Sequence, residues 1–384
     1  MSACHSPLEL VRRLIEFDTT SRVSNLALID FAQELLEKSG ARCRRTFDAT
    51  RTKANLFATL GPDGPGGYVL SGHTDVVPID GQDWSSDPFK PQVRDDKLFG
   101  RGACDMKGFV GVALAMLPRI AAAKLARPIH FALSYDEEVG CDGVRGLLDD
   151  LAANGIKPAL AIVGEPTLMK VVGAHKAGAV LHTRCHGREG HSSAPEKGAN
   201  AVMMAGDFVR LLETVWDELR ADTDPRFEPP HSTVQANMIE GGTASNILAR
   251  DALVTWEYRA LPDRNADEIV ERVRSLADSE ILPKYRRHAP EARLDTVLHA
   301  SYPGLVMDET SPAVRTALEL TGANRAEAVS YGTEAGHFQR AGIPAVICGP
   351  GSIDQAHKAD EWVALSQLAA CEAFLGKVIA KASD

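Results

Sequence analysis

The residues of this chain best suited to hydrolytic chemistry are His73, Asp75, Asp105, Glu137, Glu138, Glu165 and His357. Taken singly they say little. A single acid is usually a solvated loop residue, and a single histidine is usually held in place by structural hydrogen bonds. Their joint placement says more, because each follows a short apolar run or a glycine-rich loop. Imidazoles and carboxylates together form a mixed nitrogen–oxygen donor set, which suits zinc and also cobalt or manganese. An open catalytic zinc takes three protein ligands, so a set of two histidines and three acids exceeds what one ion needs. It suits two ions about 3.5–4 Å apart that share a bridging carboxylate and a water. Glu137 and Glu138 are neighbours, and neighbours at a strand end point to opposite sides. The pair is expected to divide its work, one side chain holding metal and the other facing the water. Asp75, two positions beyond His73, is placed to accept a hydrogen bond from that imidazole and fix the ring.

The elements that must position these residues are legible as short branched apolar runs at Tyr68–Leu70, Ile129–Leu133, Leu160–Val163 and Ala345–Cys348. Longer stretches with helical spacing separate them, among them Lys107–Leu117, Gly143–Ala153 and Pro312–Leu320. Buried strands alternating with helices predict an α/β domain with a mostly parallel central sheet. In such sheets ligands gather beyond the carboxyl ends of the strands, where His73, Glu137, Glu138, Glu165 and His357 fall. Asp105 belongs to a Gly100-Arg101-Gly102 loop just ahead of a helix starting near Lys107. At the start of the chain, Ser6 and Pro7 read as a cap and first helical position, with Leu10, Val11, Leu14 and Ile15 on one face.

The middle of the chain follows another rhythm. Strand-like alternation at Ala179–Cys185, Thr233–Ile239, Leu253–Tyr258 and Ala292–His299 is interleaved with helices at Ala199–Leu219 and Ala266–Ala277. The resulting β-α-β-β-α-β order predicts a small ferredoxin-like α+β sheet with both helices on one face. We expect it to be an inserted domain over residues 177–301, interrupting a metal-binding domain made of residues 1–176 and 302–384.

A chain of 384 residues is long enough for two cores. A net charge of -10 argues against a nucleic-acid face. No run approaches the length of a membrane span, and Met1–Asp18 lacks the basic-then-apolar pattern of a secretory leader. The cysteines (Cys4, Cys43, Cys104, Cys141, Cys185, Cys348, Cys371) are scattered and odd in number, which predicts reduced thiols and a cytoplasmic setting. Cys104, beside Asp105, reads as a packing residue.

The segments SGHTDVVP, GRGACDMKG, YDEEVG, GEPT, GHSSAP and QAHKADE, in this order, resemble the M20 metallopeptidase and deacylase family. The resemblance covers most of the chain and implies a zinc-peptidase-like catalytic domain with an inserted dimerisation (lid) domain, assembled as a homodimer. It implies that His73 and Glu165 complete one metal site, Glu138 and His357 the other, and that Asp105 bridges two zinc ions. Glu137 would be the general base and acid, and Asp75 would orient His73. His191 would reach a neighbouring subunit's site and stabilise the oxyanion, while Asn246 and Arg259 would grip the substrate's carboxylate and scissile group. GTEAGHF and GPGSIDQAHKADEWV most resemble a deacetylase branch of the family, which implies N2-acetylornithine as the N-acyl amino acid and arginine biosynthesis as the setting. Desuccinylase, aminoacylase and dipeptidase activities are the alternatives. Glu334 either attracts the ornithine ammonium or is a structural loop acid.

Overall fold

The computed structural model describes residues 5–384. The strands used below are β1 (Arg42–Phe47), β2 (Ala54–Leu60), β3 (Tyr68–His73), β4 (Ile129–Ser134), β5 (Leu160–Pro166), β6 (Val172–His175), β7 (Ala177–His186), β8 (Thr233–Gly241), β9 (Asp251–Ala260), β10 (Arg293–Tyr302), β11 (Glu327–Val329) and β12 (Ala345–Gly349). The helices are α1 (Pro7–Ile15), α2 (Leu26–Lys38), α3 (Lys107–Ala115), α4 (Asp142–Ala153), α5 (Ala201–Leu219), α6 (Asp267–Leu276), α7 (Pro312–Thr321), α8 (Ala335–Arg340) and α9 (Leu365–Ser383). Two compact units result, one of Met1–Ala174, Leu305–Ala328 and Thr333–Asp384, the other of His175–Gly304 and Val329–Gly332.

The larger unit is mixed α/β around an eight-stranded sheet of order β1-β2-β4-β3-β5-β12-β6-β11. Its four middle strands, β4-β3-β5-β12, run parallel, while β1, β2 and β6 pair antiparallel on the flanks. The parallel strands are buried throughout, as the continuous apolar runs of Ile129–Leu133 and Leu160–Val163 require. The chain starts the middle of this sheet at β3 and builds outward on both sides, so a ligand crevice is expected beyond the carboxyl ends of β3 and β5. α1 opens with a reciprocal cap, in which Ser6 accepts from Glu9 N–H and the Glu9 carboxylate accepts from Ser6 N–H. Every residue of α3 but Ala115 is buried. Its Phe109 lies so close to β5 that a Cβ at Gly164 would meet the ring at 1.9 Å, so glycine is required there, next to Glu165.

The smaller unit is an antiparallel sheet of order β8-β9-β7-β10 with the element order β-α-β-β-α-β. Leu181 and Cys185 of β7, Val254 and Trp256 of β9, Phe208 and Leu212 of α5, and Ile269 and Val273 of α6 share one core. The opposite positions of β9, Asp251 to Arg259, alternate half-buried. A two-residue ladder, Gly190–His191 with Ile247–Leu248, projects a further loop pair. Among the described residues no helix is long and apolar enough to cross a membrane, and the described cysteines, Cys43 to Cys371, are all free. Cys4 lies outside the described residues.

Candidate metal centre

The parallel strands of the larger unit end at the acids and imidazoles singled out above. β3 ends on His73, β4 leads into Glu137 and Glu138, β5 contains Glu165, and β12 leads through Gly349–Gly351 to His357. His73 Nε2 lies 3.1 Å from Asp105 Oδ1 and 3.7 Å from Glu165 Oε1. His357 Nε2 lies 3.3 Å from the other Asp105 oxygen, Oδ2, and 2.9 Å from Glu138 Oε2. One carboxylate therefore stands between two imidazoles and presents one oxygen to each. Glu137 also has a carboxylate oxygen within 4.8 Å of donor atoms on His73 and Glu165.

The electrostatics match a site for cations. Burial raises Glu138 to about 7, and the Asp105 charge adds to it. Glu165 is raised well above the usual range by burial and then by Asp105, and Glu137 chiefly by burial. Burial pushes Asp105 upward too, yet hydrogen bonds from His357 and His73 hold it well below the ordinary carboxylate range. Hydrogen bonds to Asp105 and then Glu138 lift His357 to about 10. Burial opposes charge on His73, but Asp105 and Glu165 overcome it and raise the ring. Oε1 of Glu138 is buried without a hydrogen-bond partner. Several buried carboxylates facing two imidazoles, with an orphaned acceptor among them, fit a pair of divalent ions.

Three details differ from the sequence-based expectations. The His73 ring is fixed through Nδ1 by the backbone carbonyl of Asp75 at 2.9 Å, while the Asp75 carboxylate stands 3.6 Å away. That carboxylate accepts instead from Glu137 N–H, Glu138 N–H and Ser21 Oγ. The two glutamates occupy a turn beyond β4 rather than the strand itself, so Asp75, not strand alternation, arranges them. Asp136, in the same turn, adopts φ 54° and is clasped through both carboxylate oxygens by Lys53 Nζ. Lastly, Glu334 is 1% exposed, with its carboxylate 3.4 Å from Ser71 Oγ. Ser71 sits two residues before His73, about 6–7 Å deeper in the strand. Glu334 is thus an interior acid near the charges of His73 and Glu137, the placement expected of its structural alternative.

The peptidase family M20/M25/M40 model matches residues 69–381. The chain belongs to that family. The acetylornithine deacetylase of Myxococcus xanthus is 35% identical over 375 residues, covering 96% of this chain and 95% of that protein. The acetylornithine deacetylase of Proteus mirabilis is 33% identical, covering 97% and 95%. Among solved structures, the dipeptidase Dug1p of Saccharomyces cerevisiae superposes with a TM-score of 0.76 at 14% identity, covering 98% of this chain and 95% of that one. A dinuclear metal-binding M20 peptidase of Bacillus subtilis gives 0.67 at 16% identity, covering 97% and 96%. At such identities the last two speak for the shared fold.

In the smaller unit of this M20 chain, His191 and Asn246 come together across the two-residue ladder, where Ser192 N–H donates to the Asn246 carbonyl at 3.1 Å. The His191 ring accepts at Nδ1 from Ser193 N–H at 3.1 Å. A neutral ring held this way carries its proton on Nε2, as an outward donor. Arg259 lies elsewhere on the sheet, pairing with Glu257 at 3.1 Å and resting over the Tyr302 ring. The structure thus groups His191 with Asn246 and leaves Arg259 apart from them. Sequence reasoning missed Ser21 and Lys53, which are remote in sequence from the turn they brace. It also left Arg101 and Glu361 unassigned, although both lie inside quoted motifs.

Proposed function

We propose that this chain hydrolyses the amide bond of small N-acyl amino acids, and N2-acetylornithine in particular, releasing acetate and ornithine in arginine biosynthesis. The observation that carries the reading is the Asp105 carboxylate with one oxygen toward His73 and the other toward His357. His73 and Glu165 would hold one ion, Glu138 and His357 the second, and Asp105 both. Two bound zinc ions, or cobalt or manganese, would polarise the acyl carbonyl and acidify water. Glu137, made more basic by burial, takes the proton of the attacking water and returns it to the departing amine nitrogen. Its Oε1 is steadied by the Cys141 thiol at 3.5 Å. Asp75 holds the turn that carries the base. His191, donating from Nε2, serves the oxyanion of a partner subunit, and Asn246 and Arg259 take the substrate's polar groups.

The homodimer in this reading forms through the smaller unit. There β8 is an edge strand with Met238 (57%) and Ile239 (54%) exposed, and Met203 at the start of α5 is 60% exposed. An unpaired apolar edge of this kind invites a second copy. Free cysteines fit the cytoplasm. The decisive experiment compares kcat/KM of metal-loaded protein over N-acetylornithine, N-acetylmethionine, N-succinyl-diaminopimelate and a dipeptide. Preference for N-acetylornithine is expected, and a preference for any of the others would overturn the substrate assignment. Elemental analysis after zinc titration should give two equivalents per chain. Saturation at one would sink the dinuclear reading.

A further inference from the structure

Glu361 and Arg101 are each 1% exposed and form an ion pair at 2.8 Å beneath the metal centre. A buried ion pair is costly unless its remaining acceptors and donors are used. Here they are. Glu361 Oε2 accepts from Arg101 Nη1 and from Gly102 N–H at 2.9 Å, while Oε1 accepts from Cys104 N–H at 2.8 Å and Asp105 N–H at 3.0 Å. One carboxylate therefore gathers the backbone of the loop that carries Asp105. Arg101 continues the chain of contacts, reaching the Lys358 carbonyl and Gln82 Oε1, and Gln82 Nε2 donates to the His357 carbonyl at 2.9 Å. The loop of Asp105 and the loop of His357 are tied together through these three side chains.

We propose that Glu361 is a positioning residue of the metal centre. With Arg101 and Gln82 it sets the placement of Asp105 against His357, and so the affinity for the second ion. This rests on the reading of Asp105 as the bridging ligand. Only a carboxylate offers acceptors at both oxygens; an amide of the same shape would turn N–H groups toward backbone donors. Residues that orient metal ligands typically contribute 10–100-fold to metal affinity.

Zinc titration calorimetry on Glu361→Gln, Glu361→Asp and wild type, beside thermal unfolding of the metal-free proteins, tests this. Wild type is expected to take up two ions. Folded Glu361→Gln should bind the first ion within a few-fold of wild type and the second roughly 10–100-fold more weakly. Glu361→Asp, which keeps the charge with a shorter reach, should fall between them. Excess zinc should restore kcat of both variants. Should Glu361→Gln not fold, Glu361→Asp alone carries the comparison. Unchanged affinity for the second ion in either folded variant, with only the melting temperature lowered, overturns the proposal and leaves the dinuclear reading standing. Wild type that binds fewer than two ions overturns that reading as well.

Discussion

The larger and the smaller unit hold most of their candidate functional side chains in different ways. In the larger unit, His73, Asp105 and Glu165 are buried, His357 is the exception with 55% of its side chain in solvent, and their neighbours Asp75 and Glu361 are each bonded to several backbone N–H groups. In the smaller unit, His191 and Asn246 are exposed and Arg259 keeps 35% of its side chain in solvent. A metal pair tolerates little displacement of its ligands, so the fold supplies rigid support from several loops. Groups that meet a substrate from outside gain from remaining adjustable. Burial and bonding thus mark most of what must be fixed, and His357, exposed yet tied to Asp105 and Glu138, is held by bonding without burial.

The sharpest way to break this contrast is at the base. Glu137→Gln should lower kcat by about 10²–10⁴-fold with zinc stoichiometry unchanged, because a general base contributes that much. Near-normal turnover would show that Glu137 is a ligand or a bystander. A second effect belongs to the larger unit alone. Dications must displace protons from His357, raised to about 10, and Glu138, raised to about 7. Zinc affinity should fall by about tenfold per pH unit as pH drops below about 10, for the His357 proton, and more steeply below about 7, where Glu138 is protonated too. Equal affinity at pH 6 and pH 8 would speak against this ligand set. On the smaller unit, Arg259→Ala should leave zinc binding intact and raise KM by roughly ten- to a hundredfold, the contribution of a charge-assisted pair to a carboxylate. Loss of metal from that variant would dissolve the distinction between the units.

The same contrast explains what was legible in the sequence. Candidate ligands at the carboxyl ends of β3, β4, β5 and β12 stood out because strand ends, apolar runs and acid or imidazole residues coincide there. The β-α-β-β-α-β order showed through the alternation in β7 and β9, where one face is buried. The charged edge strand β1, RCRRTF, gave no such signal, since none of its residues is buried and it is held as a strand by pairing with β2. Supporting contacts were invisible for another reason. Lys53 meets Asp136, and Arg101 meets Glu361, across 83 and 260 residues, and no local spacing encodes such pairs. The burial of Glu334 was not foreseen because residue type alone does not tell an interior acid from one at the mouth of a site.

Glu334 also gives the smallest effect and the finest test. Burial, the leading cause, raises its carboxyl from about 4.5 to about 7. A group with a raised folded pKa binds more protons when folded than when unfolded between those values. Stability of the metal-free protein should therefore fall as pH climbs from about 4.5 to about 7, and the penalty should be complete above that range. Glutamine resembles the protonated acid in shape and charge. Glu334→Gln should match wild type in melting temperature near pH 4.5 and exceed it at pH 8, with the gap opening between. If the buried carboxylate acts through Ser71 and His73 and not on the substrate's ammonium, the substitution should change kcat/KM for N-acetylornithine and N-acetylmethionine by the same factor. A selective loss for N-acetylornithine would return Glu334 to the substrate. A melting difference that is flat with pH would mean that the buried acid stays ionised throughout.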